Sequence, residues 1–168
     1  NNRERIDSYI GSLTNYYYLK NYDSVHFYSS QINSFNKISF NNRNKINLLS
    51  AKSFLDSGDI TKGIDKLLTT INLVNDESAA EANYLLAKVF YSQSQKNQAL
   101  ETLYALNENF SNYDYWVGKS YLLIADIFIS MNEEFQANAT LESLIDNTDI
   151  DEIRDEALEL KNKIDLNE

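Results

Sequence analysis

The sequence has no cysteine and no proline, only four glycines, and single copies of histidine, tryptophan and methionine. Without cysteine there is no disulfide, thiolate metal site or cysteine nucleophile, and the lack fits cytoplasm and periplasm alike. So few breakers in 168 residues favour helices joined by short polar turns. A lone histidine, His26, has no second imidazole for a metal site and no sequence partners for a serine triad. Its neighbours Val25 and Phe27 mark it as a packed or surface side chain. Gly11, Gly58, Gly63 and Gly118 are isolated, so there is no phosphate-cradling loop. Positive charge is also scarce. Fifteen Lys and Arg stand against 25 Asp and Glu, for a net charge of −10. That balance argues against nucleic acid, whose affinity rests on cations displacing counterions, and against docking on an anionic membrane. No long uncharged apolar run suggests direct membrane insertion. The chain opens NNRER without an initiator methionine or a signal segment, and reads as a fragment or a processed chain.

What is present is amphipathic helix, repeatedly. Asn2–Leu19 places Ile6, Tyr9, Ile10, Leu13, Tyr16 and Tyr17 on one face. Asp23 is expected to cap a second helix over Ser24–Phe35, carrying Val25, Tyr28, Ile32 and Phe35. Asn36–Asn42 reads as a longer connection. Lys45–Ser57 follows, then the turn Ser57-Gly58-Asp59, in which Gly58 takes left-handed angles and Asp59 caps Ile60–Val74. After a polar stop at Asn75–Ser78 come Ala80–Ser92, Gln98–Phe110, Tyr115–Met131 and Phe135–Asp146. The last run, Ile150–Leu166, has Asp149 and Glu152 spaced as a capping box. Its polar outer face is what ends a stacked array.

The helices pair into a repeat. A small or apolar first-helix position reads Leu13, Ala51, Ala87, Ala125. Three residues on, an aromatic reads Tyr16, Phe54, Phe90, Phe128. Second-helix columns read Val25, Gly63, Ala99, Ala137, then Ser29, Leu67, Leu103, Leu141, then Ile32, Thr70, Leu106, Leu144. Members of the first column are 38, 36 and 38 residues apart. A small residue lets two helices approach, and an aromatic fills the gap one turn later. Each pair alone leaves an apolar face wet, so neighbours must stack. Each buried Leu or Phe contributes roughly 1.5–3 kcal/mol to that stacking.

The Ala-x-x-Phe spacing, Gly58-Asp59 at a turn, and Ala99 or Ala137 opening a second helix resemble the tetratricopeptide repeat. The resemblance covers about Ile6–Asp151. It implies an all-α, right-handed α-α superhelix of four helical hairpins, about 2–35, 44–77, 80–113 and 115–147, closed by a capping helix over 150–166. The pattern departs from the family in its longer connections, its missing proline, and Leu13, Val25 and Ser29 of the first repeat. The stretch from Asn112 to Asn147 looks like the C-terminal repeats of long tetratricopeptide proteins of Bacteroidetes-type bacteria. The family implies a scaffold that binds a protein or peptide partner; the residues themselves offer no cofactor or metal site and no convincing catalytic cluster, so no enzymatic activity is expected.

In that family the column Tyr17, Leu55, Tyr91, Ile129 lines the concave surface, and the column three earlier reads Thr14, Lys52, Lys88, Asp126. Tyr17, Lys52, Tyr84, Lys88 and Tyr91 are therefore the expected groove for a peptide with an acidic group. Asparagines that complete the carboxylate clamp of chaperone-binding members are not matched. A second reading is self-association through the N-terminal helix, which lacks a preceding neighbour and would expose Ile6, Tyr9 and Tyr16. Other acidic clusters point to no chemistry. Asp146–Glu152 fails as a calcium loop, because Ile150 and Asp151 stand where a ligand and glycine are needed. Glu133-Glu134 and Asp155-Glu156 are adjacent pairs that cannot face each other on a helix.

Overall fold

The computed structural model describes residues 2–33 and 38–165. Among them are nine α-helices and no strand: α1 Asn2–Tyr18, α2 Tyr22–Asn33, α3 Phe40–Asp56, α4 Ile60–Leu73, α5 Glu77–Ser92, α6 Lys96–Asn109, α7 Asp114–Ser130, α8 Glu134–Asn147 and α9 Asp151–Asp165. The chain divides into two compact units, Asn1–Ala82 and Asn83–Glu168. In the first, α1 packs on α2 and α3, and α3 on α4. In the second, α7 packs on α6, α8 and α9.

The repeat columns are realised as burial. Leu13, Ala51, Ala87 and Ala125 are fully buried, as are Val25, Ala99, Ala137, Leu67, Leu103 and Leu141. Gly63 is buried too, and the aromatic column is half-buried throughout. Apolar side chains supply the driving force here, and the small columns set how closely the paired helices approach. An added Cβ at Gly63 would come within 2.4 Å of Leu55 Cδ2, on the helix it packs against.

A further column emerges only from the backbone. Lys20, Gly58, Ser94 and Asn132 occupy the same place in the four hairpins, and all are left-handed, with φ of 54°, 88°, 62° and 59°. In each hairpin the next N–H, of Asn21, Asp59, Gln95 or Glu133, donates to the carbonyl of the aromatic column at 2.9 Å. This Schellman-type closure satisfies carbonyls that the helix end leaves free. The following helix then starts at once, with Asn21 and Asp59 side chains accepting from Ser24 and Lys62 N–H.

Several expectations are corrected. The cap of α2 is Asn21 rather than Asp23, and the helix begins at Tyr22. Phe35 and Leu166, expected on helix faces, lie outside the described residues. The helix expected from Lys45 begins at Phe40, because Ser39 caps it by accepting from Asn42 N–H. Its asparagine-rich start has a tertiary reason. Asn44 is fully buried, and its side-chain amide donates to Val74 carbonyl at 3.0 Å and to Asp76 Oδ1 at 2.9 Å. Asp76 Oδ1 also accepts from Ala79 N–H, so α5 starts at Glu77 rather than Ala80. Glu152 turns toward Tyr115, whose hydroxyl donates to it at 3.3 Å, rather than completing a capping box. Ile6 is buried, in one cluster with Leu13, Val25, Ile32, Ile38 and Ile46, against which Tyr9 and Tyr16 pack. The expected exposure of Ile6 is therefore not found.

Candidate interaction surface

The expected site residues all stand on first helices: Tyr17 on α1, Lys52 on α3, and Tyr84, Lys88 and Tyr91 on α5. They fall into two groups, one in each unit.

In the first unit Tyr17 and Lys52 meet. The Lys52 ammonium lies 5.7 Å from the centre of the Tyr17 ring. The Tyr17 hydroxyl donates to Asp56 Oδ2 at 2.7 Å. Burial, and then the hydrogen bond to the Asp56 carboxylate, push the Tyr17 phenol well above its ordinary range. Lys52 is not free for a ligand, since its Nζ pairs with Glu81 Oε1 at 2.6 Å. Sequence reasoning missed Glu81 and Asp56. The signal for Glu81 was a charge column, Asp7, Lys45, Glu81, Lys119, that alternates in sign from one repeat to the next, whereas Asp56 belongs to no such column.

In the second unit Tyr84, Lys88 and Tyr91 run along one face of α5 at helical spacing. Lys88 is exposed, its Nζ 5.8 Å from the Tyr84 ring centre. Tyr84 packs against Trp116 of α7, with ring centroids 5.6 Å apart. Trp116 in turn meets Tyr115 edge-on at 5.2 Å. Burial raises the Tyr84 phenol pKa, against the opposing charge of Lys119. Tyr91 is likewise raised by burial, beside Ser130 and Asp126 of α7. Lys119 donates to both Glu156 oxygens at 2.8 Å. Burial is the largest single influence and disfavours the Lys119 charge, but the Glu156 hydrogen bond and the attraction of the Glu156 charge together outweigh it and the pKa rises.

The repeat explains why the two lysines differ. One repeat on, Lys88 takes the place of Lys52 and Lys119 takes that of Glu81. A cation thus stands where the carboxylate would be, and Lys119 is held by α9 instead. Among the described residues Lys88 makes no ion pair.

His26 is a packed residue. Its ring stacks on Phe54 at 3.8 Å and its Nε2 lies 2.8 Å from Ser53 Oγ. Among the described residues no group of three or more His, Asp or Glu could hold a metal ion, and no helix is long and apolar enough to cross a membrane.

Residues 81–113 match the family described as the tetratricopeptide repeat, which places the match on the third hairpin. The fold is similar to a crystal structure of a variant chain described as a kinesin light chain of Podosopora anserina with nearly identical TPR-like repeats. The two superpose with a TM-score of 0.69 at 12% identity, over 97% of this chain and 86% of that one. No curated protein matches the sequence. At that identity the likeness shows the fold, which is all-α and of the TPR-like superhelical type. The match over residues 81–113 and the TPR-like fold support a protein–protein interaction scaffold in general.

Proposed function

We propose that this chain recognises a partner segment carrying an acidic group on the faces of its first helices. Tyr84, Lys88 and Tyr91 form the recognition strip of the second unit, with Tyr17 and Lys52 a weaker strip in the first. The observation that carries the reading is the state of Lys88, exposed, over an aromatic ring, and without a carboxylate partner among the described residues, in a chain of net charge −10. A cation left unpaired beside half-buried tyrosines suits a carboxylate flanked by apolar surface. Lys52 contributes less, because a ligand must displace Glu81. We further propose that the four hairpins at 2–35, 44–77, 80–113 and 115–147, with the capping helix, work as one repeat array within a longer protein of the Bacteroidetes type.

The test is a peptide array probed with the chain and with Lys88→Glu. Binding confined to acidic peptides and lowered about tenfold by Lys88→Glu, with Lys52→Glu weaker in effect, is the expected result. Binders without acidic residues, or indifference to Lys88→Glu, overturn it. A second reading is self-association by the end of α1, favoured by Tyr18 and Leu19, which are 76% and 75% exposed. Light scattering over a concentration range tests it, and a strict monomer counts against it.

A further inference from the structure

Away from the first-helix strip, the second unit contains a cavity of about 370 Å³ between the start of α7, the end of α8 and the turn into α9. Its size is near the lower bound of ordinary ligand pockets, which run from ~300 to 1,000 Å³. The floor is apolar: Val117, Gly118, Leu144 and Ile150. Gly118 is needed there because a Cβ would come within 2.9 Å of Ile153 Cγ2, under the floor. The rim carries Asp114 and Asp149, both exposed. Among the described residues neither carboxylate is in an ion pair. Asn147 and Ser143 also line the cavity. The Asn147 amide nitrogen donates to Ser143 carbonyl at 2.7 Å, which leaves its side-chain oxygen as an acceptor. The site also lies at the C-terminal end of α8, whose dipole favours a cation, while Asp114 in the first turn of α7 counters the opposite sign of that helix start. The nearby cation of this chain is already engaged. Arg154 binds Asp151, and the carbonyls of Thr148 and Ile145.

We propose that this cavity receives an arginine side chain presented by a linear segment of a partner protein. The aliphatic stem would lie on the apolar floor and the guanidinium between the two carboxylates. A neutral apolar side chain would leave two rim carboxylates desolvated without a partner. Arginine fits better than lysine because its planar fork serves several acceptors at once. This surface is separate from the Lys88 strip and takes the opposite charge.

The experiment is an amide chemical-shift titration of the 168-residue chain. The probe is a blocked Ser-Leu-Arg-Leu-Ser peptide, compared with twins carrying Lys or Gln in place of Arg. Shifts should centre on Gly118, Thr148 and Asp149, be weaker for Lys, and vanish for Gln. Asp114→Asn with Asp149→Asn should weaken binding about tenfold, and Asp149→Asn alone several-fold. The single change sits in an exposed turn and leaves the α7 first-turn charge intact, so it tests the idea even if the double variant is unstable. Equal shifts with the Gln peptide, shifts centred elsewhere, or unchanged binding in both variants would each overturn the proposal. Lys88→Glu should leave Arg-peptide binding unaltered, and a loss there would assign the peptide to the first-helix strip instead.

Discussion

Replacing Ser94 by glycine should stabilise this protein, although glycine in helical proteins usually does the reverse. Ser94 closes α5 with φ of 62°. Its N–H donates to Tyr91 carbonyl at 2.9 Å, and the next N–H, of Gln95, to Phe90 carbonyl at 2.9 Å. The left-handed region costs an L-residue roughly 1–2 kcal/mol, from Cβ against its own backbone. Glycine removes that cost but loses about 0.5–1 kcal/mol more chain entropy on folding. Ser94 is exposed, so no tertiary contact is lost. The balance is a gain of about 0.5–1 kcal/mol. Gly58 is the reciprocal case. An added Cβ there would meet nothing within 4 Å, so Gly58→Ala feels only the φ of 88° and should cost a similar amount.

The assay is urea unfolding followed by far-UV circular dichroism, with thermal unfolding beside it. For a domain of this size 1 kcal/mol corresponds to a shift of about 2–4 °C in Tm. Lys20→Gly should behave like Ser94→Gly. Asn132→Gly should change little, since asparagine tolerates the left-handed region. Ser92→Gly, two residues earlier and still helical, should destabilise by roughly 1 kcal/mol. If Ser94→Gly and Ser92→Gly both destabilise to the same degree, the shared left-handed turn is not what closes these hairpins.

Three further outcomes follow from the structure. Asn44→Ala should cost about 2–3 kcal/mol in urea unfolding, because it strips donors from the buried Asp76 and from Val74 carbonyl. Asn44 Oδ1, itself buried without a partner among the described residues, keeps the loss from being larger. His26 should make stability depend on pH. Burial lowers its folded pKa below the ordinary 6.5, so the unfolded chain binds the proton more readily. Stability from this group is complete above pH 6.5 and declines as the pH falls from there toward the folded pKa, and His26→Gln should flatten the slope in that window. Arg154→Ala should destabilise by about 1–2 kcal/mol and speed amide exchange at the α8–α9 turn, by removing the donor to Thr148 and Ile145 carbonyls.

These tests separate what one-dimensional patterning can carry from what it cannot. The columns headed by Leu13 and Val25 were legible because burial is periodic: a position that must be small or apolar in one hairpin must be so in the next. Most helix boundaries fall close to where apolar spacing stops, for the same reason. The start of α3 was not legible. Asn41, Asn42 and Asn44 have the local preferences of a loop, and the helix there is held by the Ser39 cap together with the distant partners of Asn44, Val74 and Asp76. The left-handed turn was legible only at Gly58, since Lys20 and Ser94 carry no local signature of positive φ. There the closure is set by the aromatic carbonyl it satisfies, and residue identity follows weakly. The candidate site shows the same division. Tyr84, Lys88 and Tyr91 could be placed on one helix face from spacing alone. That Lys52 is held by Glu81 while Lys88 is not depends on which sign stands across from it on the next first helix. A repeat fixes that facing position but leaves its charge free to change. Function in this chain should therefore be sought where a first-helix cation faces no carboxylate on the next first helix, and Lys88 is such a position among the described residues.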